Sequence, residues 1–353
     1  MIAFCAACSG GGDTTPSPAA PGVMSISTLP RLMPPPQTPE EFAARGQEAL
    51  DLAHDAGARG QVSTYLWSQL EPGNSGYDNG QMQDLDNAIA GAAGRGQVEY
   101  LGIQLVNTTA RELPSDLAAL AFDDARVKSR FHALLDRVIT PHAGTVRYLS
   151  IGNEVDVYLN THPTEWSHYR NFYADAVQYA HSLDPLLKIG VTTTVDGALT
   201  AATANMQQLN ASSDVVIATY YPLQGHFLVR DPSAPASDFP ALLAFAGSKP
   251  LVLQEVGYPA APGIGSSDAQ QADFIGSVFD AWKSADGRIP FLNFFVLHDF
   301  TPQICSDLTA YYGAPGDSQV ADFLCSLGLR LDDGTPRPAW GRLLTEASQA
   351  GLR

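Results

Sequence analysis

Two short segments of this chain end apolar runs in a glutamate. One is Ser150-Ile151-Gly152-Asn153-Glu154, and the other is Leu251-Val252-Leu253-Gln254-Glu255, continued by Val256-Gly257-Tyr258-Pro259. Two carboxyls held about 5 Å apart repel by about 3 kcal/mol at an effective dielectric near 20, or roughly two pKa units. One keeps its proton near neutral pH while its partner ionises. That division suits cleavage of a glycosidic bond, where one carboxyl attacks or polarises the anomeric carbon and the other protonates the leaving oxygen. Glu154 and Glu255 are therefore the candidate catalytic residues.

Such a pair works only if the elements around it bring both acids to one place. Short apolar runs at 23–27, 61–67, 98–106, 146–151, 188–192, 215–220, 251–254 and 291–297 predict eight strands. Between and after them, the spacing predicts helices at 39–56, 81–93, 126–138, 166–183, 201–209, 238–246, 269–284 and 340–350. Thr38-Pro39-Glu40-Glu41 starts the first with a capping side chain, a proline in the first turn and acids at the positive dipole end. Nearly continuous apolar strands, each followed by a helix, imply a parallel sheet covered on its outer face. Eight such units imply an α/β fold, a single closed (β/α)8 TIM barrel with enlarged βα loops. The doubly wound alternative lacks a G-x-G-x-x-G after its first strand. In a barrel the active site lies at the C-terminal strand ends. Counting by two puts Ser150 and Gly152 on the face of Glu154, and Leu251 and Leu253 on that of Glu255, so both carboxylates are expected over the barrel axis.

Asn153-Glu154 at the fourth strand, Glu255 at the seventh and the eight-unit register between them resemble the clan A glycoside hydrolases. The stretches Trp67-Ser68-Gln69-Leu70-Glu71-Pro72 and Gly328-Leu329 with Asp333-Gly334-Thr335-Pro336-Arg337-Pro338-Ala339-Trp340 are similar to segments of many members. The resemblance implies a retaining mechanism with Glu154 as general acid/base and Glu255 as nucleophile. It also implies that Asn153 bonds the sugar 2-hydroxyl and that Tyr220 or Tyr221, ending the sixth strand, bonds the nucleophile. Trp67 is a candidate for stacking on a sugar face. Members often carry a Trp at the end of the eighth strand, where this chain has Phe294-Phe295-Val296-Leu297-His298-Asp299, so Phe295 and His298 are the candidate substitutes. Similarity to β-1,3-glucanases around both glutamates, together with long loops, points to endo action on a neutral β-glucan. A glycan-binding barrel without catalysis is the alternative. Glu71, in a turn before Pro72, is expected to be structural, as are Trp282 and Trp340. Trp166 is expected either in an aglycone subsite or in the core.

Composition narrows the partners. The 353 residues include 37 acidic and 20 basic side chains, for a net charge of −17, so phosphate-backbone binding lacks its driving term and nucleic acid is excluded as a partner. An oligo- or polysaccharide is the expected partner, the chain is expected to be a monomer, and no cofactor is implied. Hydrophobic content of 45% excludes a disordered chain. Lys188 and Lys249 fall at strand beginnings, which disfavours a Schiff-base aldolase, and no His-x-His follows the first strand to suggest a metal-dependent amidohydrolase. No CxxC or Cys/His cluster has metal-ligand spacing.

Met1 to Ala7 is apolar, Cys8 follows two alanines, and a Gly/Ser/Thr/Pro/Ala linker continues to residue 22. This resembles a bacterial lipoprotein signal, which implies acylation of Cys8, export to the outer membrane, cell surface or medium, and membrane contact through a lipid anchor alone. The expected organisation is thus 1–22 as signal remnant and linker and 23–353 as the catalytic barrel. In an exported protein Cys305 and Cys325 are expected to form a disulfide closing a loop of about twenty residues, worth roughly 3 kcal/mol in the chain-entropy model.

Overall fold

The computed structural model describes residues 21–74 and 76–353, so Cys8, the signal-like segment and most of the linker lie outside the described residues. The barrel strands are β1 (Val23–Ile26), β2 (Gly60–Leu66), β3 (Val98–Asn107), β4 (Val146–Asn153), β5 (Lys188–Gly190 with Thr192–Thr194), β6 (Val216–Tyr220), β7 (Leu251–Val256) and β8 (Phe291–Phe294). Neighbours pair in parallel, and β8 bonds back to β1. Within β5, Lys188–Gly190 bonds to β4 and Thr192–Thr194 to β6, so the ring closes through the chain itself at Val191. One small antiparallel addition, Ala110–Arg111, folds back on β3.

Alternation along these strands sorts the side chains into two layers. Tyr100, Tyr148, Ile217, Val252 and Phe291 pack together inside the barrel. Leu101, Ile103, Leu149 and Ile151, and on the other side Val216, Ala218, Leu251 and Leu253, pack outward with the helices. These helices are α1 (Pro39–Asp55), α2 (Asn79–Gly94), α3 (Ala125–Ile139), α4 (Trp166–Leu183), α5 (Thr203–Asn210), α6 (Pro235–Ala246) and α7 (Asp268–Ser284). Caps fix where several begin: Thr38 Oγ1 accepts from the Glu41 amide, and Ser267 Oγ accepts from the Gln270 amide.

After β8 the chain makes a long excursion before its last helix. It forms α8 (Pro302–Tyr311) and α9 (Ser318–Leu324), then returns to α10 (Pro338–Gln349). Cys305 and Cys325 form a disulfide across this excursion, with Cα atoms 5.8 Å apart. Its stem is clamped by Asp299, which accepts from the Gly328 amide at 2.7 Å and from Arg337 at 2.5 Å. A side chain at Gly328 would collide with Asp299, which accounts for that glycine.

Three sequence expectations change here. The second strand stops at Leu66, and Trp67 opens a short helix, Trp67–Leu70. The eighth strand stops at Phe294 rather than continuing to 297. The flap helices α8 and α9 have no counterpart in the predicted elements, because Gly313 and Gly316 break the apolar spacing into pieces too short to register.

Candidate active site

The two glutamates reach the barrel mouth by different local devices. On β4, Ser150 points inward, its hydroxyl 2.7 Å from that of Thr192. Gly152 then adopts φ +92° and Glu154 itself φ +45°, ψ +44°, so the chain turns left-handed as it leaves the strand. Only glycine suits position 152: its φ is positive, and a Cβ there would collide with the Tyr169 hydroxyl. On β7 simple alternation fails. Leu251 and Leu253 face the outer layer, so counting by two would send Glu255 outward as well. A bulge corrects this: Ala218 pairs with Leu253 and Thr219 with Glu255, while on the other side Leu292 pairs with Leu253 and Phe294 with Val256. The extra residue lets Gln254 and Glu255 both address the interior.

Gln254 organises the polar floor of the site. It accepts from Tyr100 Oη at 2.5 Å, and its amide nitrogen donates to Asn153 Oδ1 at 2.9 Å and to Glu255 Oε1 at 3.2 Å. Asn153 in turn donates to Asn107 Oδ1 at 3.0 Å. Tyr221 Oη donates to Glu255 Oε2 at 2.6 Å. Glu154 accepts from Thr219 Oγ1 at 2.6 Å and from Thr108 Oγ1 at 2.8 Å.

Burial pushes both glutamate carboxyls above the ordinary carboxylate range. For Glu255 the charge on Glu154 adds to the shift, while the hydrogen bonds from Tyr221 and Gln254 oppose it. For Glu154 the two threonine hydroxyls oppose it, and nearby Asp156 raises it further. Asp156 is itself buried under three donors, Thr193 Oγ1, Thr194 N and Thr194 Oγ1, at 2.7 to 3.0 Å. Each carboxyl accepts from a hydroxyl, but only Glu255 also accepts from an amide N–H. An amide N–H can only donate, so Gln254 favours the ionised form of Glu255; a threonine hydroxyl can donate or accept, so it tolerates a proton on Glu154. The arrangement is suited to a nucleophilic carboxylate facing a protonated acid.

Both glutamates open onto a cavity of about 450 Å³, within the usual size range of small-ligand sites. Asn153, Tyr221 and Phe295 also line it, with Thr108, Thr194 and Tyr312. Much of its wall comes from the flap: Leu308 and Tyr312 from the first flap helix and its end, Val320, Phe323 and Leu324 from the second. Tyr311 carries the flap across the mouth, accepting from Asn107 at 3.0 Å and donating to Glu112 at 2.8 Å on the β3 side.

Other sequence candidates lie elsewhere. Trp67 is fully buried in the outer layer, its indole N–H donating to Glu71 at 2.9 Å and its ring edge-on to Phe131, on the same side of the sheet as Tyr65 and opposite to Val62. Tyr220 points outward between Phe239 and Phe274 and donates to Asp238 at 2.9 Å, so Tyr221 alone of the pair reaches Glu255. His298 is buried beside β1, donating from Nδ1 to the Leu29 carbonyl at 2.7 Å, and is not part of the cavity lining. Glu71 bonds Trp67 and Arg130 as a structural group, and Trp166 packs in the core. Gln254, Thr108, Thr219 and Tyr312 were not singled out from sequence. Gln254 alone had a signal, its place beside Glu255. Among the described residues, no group of three or more His, Cys, Asp or Glu is arranged to hold a metal ion, and no helix is long and apolar enough to cross a membrane.

Neither a protein-family model nor a curated protein matches the sequence. Solved structures do match the fold. A GH5_18 variant from Streptomyces cattleya, in complex with Manβ1-4GlcNAc, aligns with a TM-score of 0.70 at 16% identity over 92% of this chain and 79% of that one. The fold is that of barrel glycoside hydrolases. An exo-β-1,4-mannosidase from Opitutaceae bacterium strain TAV5 aligns with a TM-score of 0.69 at 14% identity over 93% of this chain and 60% of that one. Xylanase 10B from Thermotoga maritima gives 0.63 at 11% identity over 94% and 96%.

Proposed function

We propose that this chain is a retaining β-glycosidase acting on short glycosides, with Glu255 as nucleophile and Glu154 as general acid/base. The observation that carries the reading is two buried carboxyls opening onto one cavity, with partners that favour ionisation of Glu255 and tolerate a proton on Glu154. In the first step Glu255 attacks the anomeric carbon, the bond to the leaving oxygen breaks, and the Glu154 proton passes to that oxygen. In the second, Glu154 takes a proton from water, the resulting hydroxide displaces Glu255 from the glycosyl ester, and the anomeric configuration is restored.

The flap supports short substrates over endo action on a β-glucan. An endo enzyme needs a groove open on both sides of the catalytic pair, whereas Tyr311 ties the flap to the β3 side across the mouth. The sugar and complex named for the neighbouring structures make β-mannosides the first glycones to try. Export through a lipidated Cys8 belongs to the same reading, since an anchored glycosidase meets its substrates outside the cytoplasm.

A panel of β-linked disaccharides and simple β-glycosides, with the anomer of the first product followed by NMR, tests the assignment. Release of β-anomer is expected, as is loss of at least about a thousand-fold in kcat for Glu255→Ala. Initial release of the α-anomer sinks the mechanism. Unchanged turnover by Glu255→Ala sinks the residue assignment, and binding without turnover by the unaltered chain would favour a glycan-binding barrel.

A further inference from the structure

The cavity is chemically two-sided. Besides the two glutamates, its polar side chains are Thr108, Thr109, Asn153, Thr194, Tyr221 and Tyr312; Thr108 bonds Glu154, Tyr221 bonds Glu255, and Thr194 lies in register with Thr219, which also bonds Glu154. Away from them the wall is carbon: Leu223, Phe227, Leu308, Val320, Phe323 and Leu324 offer no side-chain donor or acceptor. An aromatic path leads from the nucleophile to the rim. Tyr221, bonded to Glu255, meets Phe323 edge-on with centroids 5.2 Å apart, and Phe323 meets Phe227 at 5.3 Å. Phe227 is 37% exposed and its neighbour Leu228 36%, so the path ends in an apolar lip open to solvent.

We propose that this apolar half binds the leaving group, and that the substrates are β-glycosides of a hydrophobic alcohol rather than of a second sugar. The inference rests on the glycosidase reading above and adds the leaving-group class to it. A second sugar seated there would give up hydroxyl–water hydrogen bonds for contacts with carbon, which disfavours it. An alkyl or aryl group of similar size gains from the same burial. The reaction is unaltered: the bond from the anomeric carbon to the alcohol oxygen breaks, and the Glu154 proton leaves on the alcohol.

The test uses the full chain and matched substrates. For each of glucose, mannose, galactose and xylose as glycone, kcat/KM is measured for the n-octyl β-glycoside, below its micelle concentration, and for the β-1,4-linked disaccharide bearing that sugar at its non-reducing end. Octanol is a poorer leaving group than a sugar hydroxyl, so a preference for the octyl compound reports binding of its chain. For the glycone turned over fastest, the octyl compound is expected to be favoured by at least about ten-fold. Phe323→Ser is expected to narrow that ratio. Phe227→Ser at the exposed rim is expected to narrow it too, and it keeps the test alive should the Phe323 variant fail to fold. Disaccharides turned over as well as or better than octyl glycosides overturn the leaving-group inference and leave the glycosidase reading standing. Absence of turnover for every glycoside overturns both.

Discussion

Glu255 and Glu154 have the same side chain in the same cavity, and their partners set them apart. Tyr221 and Gln254 donate to Glu255, which draws its raised pKa back toward the ordinary range, while burial and the neighbouring charge act the other way. Both carboxyls lie above the usual range, so kcat/KM is expected to follow a bell whose two limbs fall above the pH at which an exposed glutamate titrates. Replacing Tyr221 by Phe removes a donor that stabilises the ionised form. The nucleophile pKa rises, and the acidic limb is expected to move to higher pH with at least a several-fold loss of kcat/KM below it. An acidic limb that stays in place would show that Tyr221 does not tune Glu255. The residue types at this scale were legible from sequence, because an Asn-Glu pair and a second Glu each close an apolar run. The role of Gln254 was not legible, because it depends on which way a bulged strand faces.

Among the elements, the strands are positioned by alternation and the site by departures from it. The left-handed turn at Gly152 and Glu154 and the bulge at Gln254-Glu255 aim the carboxyls, and both lie where period-two counting stops being valid. Trp67 shows the converse, since on β2 Val62 packs inside the barrel and Tyr65 outside it, so period two already assigns Trp67 to the outer layer. The flap depends on its crosslink. Because the disulfide closes a local loop of separation 20, Cys305→Ser is expected to loosen α8 and α9, with a cost of up to roughly 3 kcal/mol confined largely to that region. Hydrogen exchange should rise in the flap amides and little in the barrel strands; a uniform rise across the strands would show that the flap is coupled to the global fold.

For the whole molecule, the buried carboxyl of Glu99, outside the site, links stability to pH. Glu99 on β3 is fully buried and neither carboxyl oxygen has a hydrogen-bond partner of good geometry. Burial pushes its pKa up to about 8 from an ordinary value of 4.5, with nearby Ser63 and Arg95 offsetting only part of the shift. Below the ordinary value the group is protonated in folded and unfolded chains alike. Between the two values the folded chain holds a proton that the unfolded chain releases, so stability falls as pH rises through this window, by a few kcal/mol in total. Glu99→Gln is expected to remove that loss, raising the melting temperature at pH 8 relative to the parent while changing it little at pH 4. An equal shift at both pH values would mean that Glu99 is paired rather than stranded. The net charge of −17 makes neutral glycosides easier to admit than polyuronates.

Local patterning in the sequence determined the barrel: apolar runs of strand length, helices between them and the caps that start those helices are short-range properties, and eight repeats leave few ways to close a parallel sheet. It also marked the two glutamates, since each ends such a run. The tertiary structure alone decided which aromatic residues join them. Tyr220 and Tyr221 are adjacent and chemically alike, yet one faces the helices and the other the nucleophile. The flap, the cavity it walls and the apolar path through Phe323 and Phe227 depend on contacts between segments far apart in the chain, which no periodicity records.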